Sequence, residues 1–332
     1  MRLIHPAAIL HNEEHRPVHL PVCDHYAGNE TRMRKALALQ AERGPVFDIT
    51  FDAEDGAAVG HEQAHAELMA QLIGSEANIY GRVGVRVHDV HHPAFKTELD
   101  TLIRLAGQRI AYVMFPKINN APEAQRCIEV LNETAAKYAV ARWIPAHFLI
   151  ETHGALADVF AIAALAQVES LSFGLMDFVS AHHGAISDAA MRSPGQFEQA
   201  LVRRAKQEIA AACHAYGKVP SHNVTTEFRD PTQAHADARR AHLEFAFTRM
   251  WSIHPEQISA IVTALSPSRE EVLTASEILL QAQHHGWGPI SHAGHLHDRA
   301  SFRYYWQVLQ RAHAARVSLP DEVVHAFFKE NS

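Results

Sequence analysis

Ionisable side chains recur in this chain at one kind of place, directly after a short apolar run. FDAEDG puts Asp52, Glu54 and Asp55 there, VGVRVHD puts Arg86, and MFPK puts Lys117. LIETHG, LSFGLMD and WSIHPEQ do the same for Glu151, Asp177 and His254. One charged residue after a strand means little, because loops are polar. Six such positions converging on one mouth are hard to explain as solvation. A set dominated by carboxylates, with one Arg and one Lys, suits a hard divalent cation. Mg²⁺ takes one or two carboxylates and completes its octahedron with waters and substrate oxygens.

A second metal signature competes with this one. HEQAH at His61 to His65 fits HExxH, in which two histidines one helical turn apart bind Zn²⁺ beside a glutamate base. The chain has 26 histidines, however, and other pairs share that spacing: His11/His15 and His88/His92. The match also falls on a helix expected to face outward, so it reads as a chance surface match.

The elements that must position these groups follow from periodicity. Short apolar, β-branched or aromatic runs alternate with long Ala-rich stretches of helical period. The strands are expected at Val18 to Val22, Val46 to Phe51, Ile79 to Val87, Ile110 to Phe115, Ile144 to Ile150, Val168 to Phe173, near Val219, and Phe247 to Ile253. The helices between them run over about 30–43, 61–74, 94–107, 121–139, 154–166, 195–216 and 231–243. Eight strands alternating with helices predict an α/β fold, a closed parallel (β/α)8 TIM barrel with its site at the C-terminal strand ends. The rival doubly wound sheet would carry a GxGxxG phosphate turn, and none is present. The barrel is expected to span residues 1–265. A C-terminal helical extension follows over 266–332, with helices at 268–285, 299–316 and 321–329, and acts as a lid or an oligomer contact.

Composition bounds the partners. With 332 residues and a formal net charge of −7, the chain lacks the basic face of a nucleic-acid binder. No apolar run reaches the ~18 residues of a membrane helix, and the start of the chain turns polar too early for a signal peptide. Cys23, Cys127 and Cys213 form no CxxC pair, which points to buried thiols and a cytoplasmic protein.

The segments carrying the ionisable residues also resemble a known family. LSFGLMD resembles the FGxxD segment, IETHGAL the IET segment and FDAEDGA the DLED segment of the citrate lyase β-subunit and malyl-CoA lyase family, within the aldolase and citrate lyase superfamily. VRVHD is similar to its VRVN, MFPKI to its LPKV, WSIHPEQI to its IHPxQI, and AGNETRMRKAL to its PGSxxxxxxKAL. The matches fall in order from about residue 20 to 262, and HLHDRASF resembles the tail segment. The resemblance implies a barrel of the phosphoenolpyruvate/pyruvate type. It implies direct Mg²⁺ (or Mn²⁺) ligation by Glu151 and Asp177, with Glu54 and Asp55 behind them. Arg86 then contacts the substrate's oxo or thioester oxygen, and Lys117 and His254 are structural. Arg32 and Lys35 match positions that hold CoA phosphates. Asp298 matches an aspartate that exchanges a proton from a neighbouring subunit, while its place just before a helix equally suits an N-cap. Relatives form homotrimers or homohexamers.

On this reading a 2-oxo acid chelates the metal, which polarises its carbonyl. Breaking the adjacent C–C bond leaves an enolate, and a fixed donor such as Arg86 is worth ~3 kcal/mol or more there. The expected reaction is cleavage or formation of a 3-hydroxy-acyl thioester of the malyl-CoA or citryl-CoA kind. A CoA-independent pyruvate-type aldolase, an acyl-CoA thioesterase and a non-catalytic metabolite-binding barrel are the alternatives. Three segments depart from the family pattern. DFVSAHHGAI places His182 and His183 where EDLxxDLG is usual, and VPSHNVTTEF replaces AIDGP. CDHYAGNE replaces VPG, making Asp24 and His25 candidate extra site residues.

Overall fold

Strand β2 (Phe47–Asp52) shows how this sequence builds its fold. Phe47, Ile49 and Phe51 point outward into the main apolar core. Asp48, Thr50 and Asp52 alternate with them and are buried too, because a parallel strand in a closed barrel is covered on both faces. The structure, a computed structural model, describes residues 4–10, 17–57 and 59–329. Eight parallel strands close into a barrel: β1 (Cys23–Ala27), β2, β3 (Val83–Arg86), β4 (Val113–Phe115), β5 (Ala146–Ile150), β6 (Val168–Phe173), β7 (Val219–His222) and β8 (Arg249–Ser252). β8 pairs back onto β1 through Cys23↔Met250 and His25↔Ser252, which completes the expected (β/α)8 fold.

The inner face is polar at the end away from the site. Arg249 Nη1 lies 2.6 Å from Asp48 and its Nη2 lies 3.1 Å from Asp24, all three buried. Thr50 and Tyr112 hydroxyls also reach Asp24 Oδ1, at 2.8 and 3.0 Å, and His147 stacks on the Tyr112 ring. Asp24, expected as a site residue, is therefore part of this ion network. His25 is not at the site either: one residue on, it faces the opposite side of the strand, and its Nδ1 meets Ser252 Oγ at 2.9 Å. Above the network, Tyr26, Met114, Leu149 and Trp251 form a small separate apolar cluster.

The first strand was expected at Val18 to Val22 but begins at Cys23, just after Pro21. Its inward Asp24 breaks the apolar run that marks the other strands. The expected 195–216 helix is divided into Gly195–Glu198 and Ala200–Ala215, and the 154–166 helix into His153–Ala157 and Val159–Ala163. Helices Leu175–Ser180 after β6 and Pro255–Leu265 after β8 went unread, as did the short Pro6–Ile9 and the 3-10 turn Asp188–Met191.

The chain divides into two compact units, residues 20–265 and residues 1–19 with 266–332. The second unit packs helices Arg269–His284 and Arg299–Ala314 around Ile278, Trp287, Phe302 and Trp306. The N-terminal residues join this unit rather than the barrel because Leu10 enters its core, and the His5 ring meets Trp306 and Phe327 edge-on. The Gly-containing break between the two helices, expected as a loop, is a hairpin of β9 (Ile290–His292) and β10 (His295–His297). Among the described residues no helix is long and apolar enough to cross a membrane.

Candidate functional site

The strand ends converge on a cavity of ≈ 260 Å³ whose lining comes wholly from the barrel. Glu151 stands one residue past β5, fixed by local structure. Thr152 caps the helix His153–Ala157 by accepting from Ala155 N at 3.0 Å, and donates to Ile118 O at 2.7 Å. The Lys117 amide donates to Glu151 Oε1 at 2.6 Å. Gly174 closes the other side: a Cβ there would lie 2.2 Å from Glu151 Oε2, so only glycine lets the chain pass this carboxylate. Asp177 follows in the first turn of the helix Leu175–Ser180 and lines the same cavity.

Glu151 and Asp177 repel one another without a cation between them. Burial, and then the charge of Asp177, pushes the Glu151 carboxyl up to about 8, against the Lys117 amide and Arg86. No group of three or more His, Cys, Asp or Glu able to hold a metal is found among the described residues. Two uncompensated carboxylates beside open space fit Mg²⁺, which keeps waters and borrows substrate oxygens, better than Zn²⁺ in a protein cage.

Arg86, the last residue of β3, is buried and gripped by carboxylates. Its Nε and Nη2 donate to Asp52 at 2.7 and 2.6 Å, and Nη1 lies 2.9 Å from Glu54. Burial opposes the Asp52 charge, but Arg86 outweighs it and holds that carboxyl below its ordinary range. Burial raises the Glu54 carboxyl, with Arg86 and Lys117 pulling the other way. Lys117 Nζ binds Glu54 and lies 3.5 Å from the exposed Asp55. Asp52 is thus the tight partner of Arg86, a role that the run FDAEDG does not single out from Glu54 and Asp55. The Arg86 guanidinium also sits 5.3 Å over the Tyr26 ring.

Of the other candidates, Arg32 lines the cavity and Lys35 does not, although both are exposed on the helix Glu30–Arg43. Asp298 belongs to the second unit and is not a lining residue; its carboxylate accepts from Ala300 N and Ser301 N at 2.9 and 3.4 Å as the N-cap of Arg299–Ala314. His182 lines a different hollow, with His153 and Phe178, and its Nδ1 meets Phe178 O at 2.7 Å; His183 lines neither. The Ser252 hydroxyl donates to His254 O at 2.9 Å, and the Glu256 amide donates to His254 Nδ1 at 3.3 Å, so His254 shapes a turn. In HEQAH, His65 Nε2 is spent on Asp52 O at 2.9 Å and Glu62 accepts from Gly60 N at 2.7 Å. His11 and His15 lie outside the described residues. Tyr26, Asn223 and Trp251 line the cavity unannounced; they stand at or beside strand ends but carry no charge.

Comparisons with known proteins agree with this geometry. A family model described as HpcH/HpaI aldolase/citrate lyase matches residues 35–255. An L-malyl-CoA/beta-methylmalyl-CoA lyase of Cereibacter sphaeroides is 27% identical over 281 residues, 80% of this chain and 86% of the relative. A malyl-CoA/beta-methylmalyl-CoA/citramalyl-CoA lyase of Chloroflexus aurantiacus is 22% identical over 253 residues, 71% of this chain and 72% of the relative. Among solved structures, a citrate lyase from Burkholderia xenovorans LB400 is 55% identical with a TM-score of 0.86, covering 98% of this chain and all (100%) of that one. CitE of Mycobacterium tuberculosis, solved with magnesium, acetoacetate and coenzyme A, shares the fold at 20% identity and a TM-score of 0.66, covering 89% of this chain and 98% of that one.

Proposed function

Because the chain belongs to the HpcH/HpaI aldolase/citrate lyase family, we propose that it is a Mg²⁺-dependent lyase that cleaves or forms a 3-hydroxy-acyl thioester, yielding a 2-oxo acid and an acyl enolate. That it is a carbon–carbon lyase follows from its relatives, which are lyases that this chain matches along most of their length. The observation that carries the finer reading is the pair Glu151 and Asp177 lining one cavity with Arg86.

Glu151 and Asp177 would hold the metal, which supplies Lewis-acid polarisation of the bound 2-oxo acid's carbonyl. The chain's own residues do the rest. The Lys117 amide and Gly174 fix the Glu151 carboxylate, so no reorganisation is needed when a cation arrives. Arg86, clamped by Asp52 and Glu54, offers its remaining N–H groups to developing negative charge without moving. Phe173, Leu175 and Val224 give the cavity apolar walls that exclude water from an enolate. Arg32 at the rim is suited to a phosphate of a CoA arm, while Lys35 lies one turn away. Asp298 would supply the proton from a second copy, with the second unit as a lid or contact between copies in a homotrimer or homohexamer.

The test is calorimetric titration of Mg²⁺ into chelator-stripped protein, with and without pyruvate, glyoxylate or oxaloacetate. Metal binding that one oxo acid strengthens, and that Glu151→Gln or Asp177→Asn abolishes, supports the reading. Binding indifferent to both substitutions overturns it. Free CoA inhibits a thioester lyase and leaves a CoA-independent aldolase untouched.

A further inference from the structure

The strand ends divide the cavity lining into a charged part and an apolar part. Asp52 and Arg86 close β2 and β3, and Glu151 follows β5. At or just after the ends of β6, β7 and β8, the lining residues are Phe173, Val224 and Ile253. These three strands are consecutive in the barrel, so their apolar residues form one stretch of wall. Met176, in the helix after β6, extends it. Met176 and Ile253 are 40% and 41% exposed, which leaves apolar surface at the mouth for a ligand to cover.

The charges of the lining are closely matched. Four carboxylates line the cavity, Asp52, Asp55, Glu151 and Asp177, against two cations, Arg32 and Arg86. Among the described residues no other Lys, Arg or His lines it. A Mg²⁺ ion on Glu151 and Asp177 brings this lining to neutrality and leaves no positive charge in excess. The carboxylate of a chelating 2-oxo acid is met by the metal, but a second carboxylate would need a further cation. Arg86 does not supply one. Its Nε and Nη2 donate to Asp52 at 2.7 and 2.6 Å, and its Nη1 lies 2.9 Å from Glu54. Arg32 sits on the helix after β1, beside the charged part, where the reading above assigns it to a thioester's phosphate. An ion taken from water without a partner is costly. An alkyl group laid on the apolar wall gains instead, roughly fourfold in affinity per buried methylene.

The geometry points to a 2-oxo acid whose substituent beyond the carbonyl is uncharged and apolar, lying along Phe173, Val224 and Ile253, in preference to a dicarboxylic one. This rests on the reading that Glu151 and Asp177 hold the metal and, through it, the 2-oxo acid end.

The experiment is calorimetry on the full chain saturated with Mg²⁺, using pairs that exchange a methyl for a carboxylate. The pairs are 2-oxobutyrate with oxaloacetate and 2-oxovalerate with 2-oxoglutarate, and ¹H NMR confirms that oxaloacetate stays intact. Each monocarboxylate is expected to bind at least ~10-fold tighter than its partner, and 2-oxobutyrate roughly fourfold tighter than pyruvate. Ile253→Lys and Met176→Lys each put an ammonium on the wall at an exposed position, with a thermal melt to confirm folding. The Ile253 amide, which donates to Gln257 Oε1 at 3.0 Å, is kept. At least one lysine should narrow the preference for the monocarboxylate several-fold. Dicarboxylates that bind as tightly as their partners, or a preference that neither lysine narrows in a folded protein, overturn the inference and leave the metal reading standing. Failure of every probe to bind overturns the metal reading and this inference with it.

Discussion

Replacing Gly174 by alanine isolates the placement of one carboxylate from its chemistry. The added Cβ would stand 2.2 Å from Glu151 Oε2 and 2.5 Å from Glu151 Cβ, where ordinary van der Waals contact begins at 3.4 Å. The side chain must retreat by about 1 Å. It cannot do so freely, because its other oxygen is held by the Lys117 amide at 2.6 Å. Mg²⁺ demands near-ideal octahedral geometry at about 2.1 Å, and a 1 Å misplacement of a positioned group can cost ~100-fold. Gly174→Ala is therefore expected to weaken Mg²⁺ binding by ~100-fold, about 2.7 kcal/mol, although both proposed ligands, Glu151 and Asp177, are still present. Overpacking should lower folding stability by roughly 1–3 kcal/mol. The assay is the Mg²⁺ titration beside a thermal melt of the stripped protein, with Glu151→Gln as reference. Metal affinity within threefold of the parent, in a protein that melts normally, would refute the claim that Gly174 sets the carboxylate's position.

Arg249→Met removes the cation shared by Asp24 and Asp48, leaving Asp48 to Arg82 at 2.7 Å and Asp24 to two hydroxyls, and should cost about 3–5 kcal/mol in chemical denaturation; a loss under 1 kcal/mol would mean that the network at 3.1 and 2.6 Å contributes little. Asp52→Asn removes the tight partner of Arg86 and should lower kcat/KM more than Asp55→Asn, since Asp55, although it lines the cavity, is exposed and its ion pair with Lys117 is long at 3.5 Å; equal losses would contradict this ordering. His88 is held by Glu98 at 3.2 Å, and that hydrogen bond, working against burial, raises its pKa above 6.5. Its contribution to stability is fully present below 6.5 and is lost as pH rises through the folded value. Histidine NMR titration should show His88 retaining its proton above the usual midpoint, and Glu98→Gln should remove that elevation.

The barrel was legible because eight apolar runs alternate with helical stretches, and the carboxylates of the site because each closes such a run. β1 was misplaced because its inward residue is Asp24, whose charge is explained only by Arg249, 225 positions away in the sequence. Asp24, His25, His182 and His183 looked like site residues because sequence proximity to a strand end cannot say which side of a pleat or helix a side chain takes. Tyr26, Asn223 and Trp251 escaped for the opposite reason: neutral residues in apolar surroundings look like core, and only a closed barrel brings them to one wall. Gly174 reads in FGLMD as an ordinary helix-start residue. Its role depends on a carboxylate from the neighbouring strand.

Lys117 has a consequence for how this site tolerates genetic change. Its grip on Glu151 is a peptide N–H, and every residue type except proline brings one to that position. Its grip on Glu54 is a side-chain ammonium, which almost any substitution discards. The two anchors thus sit on one codon but have opposite sensitivities. A library of variants at this position should retain the placement of Glu151 nearly throughout, with glycine suiting the left-handed φ of 53°, while losing the ammonium that steadies Glu54 behind Arg86. Proline alone would strike both.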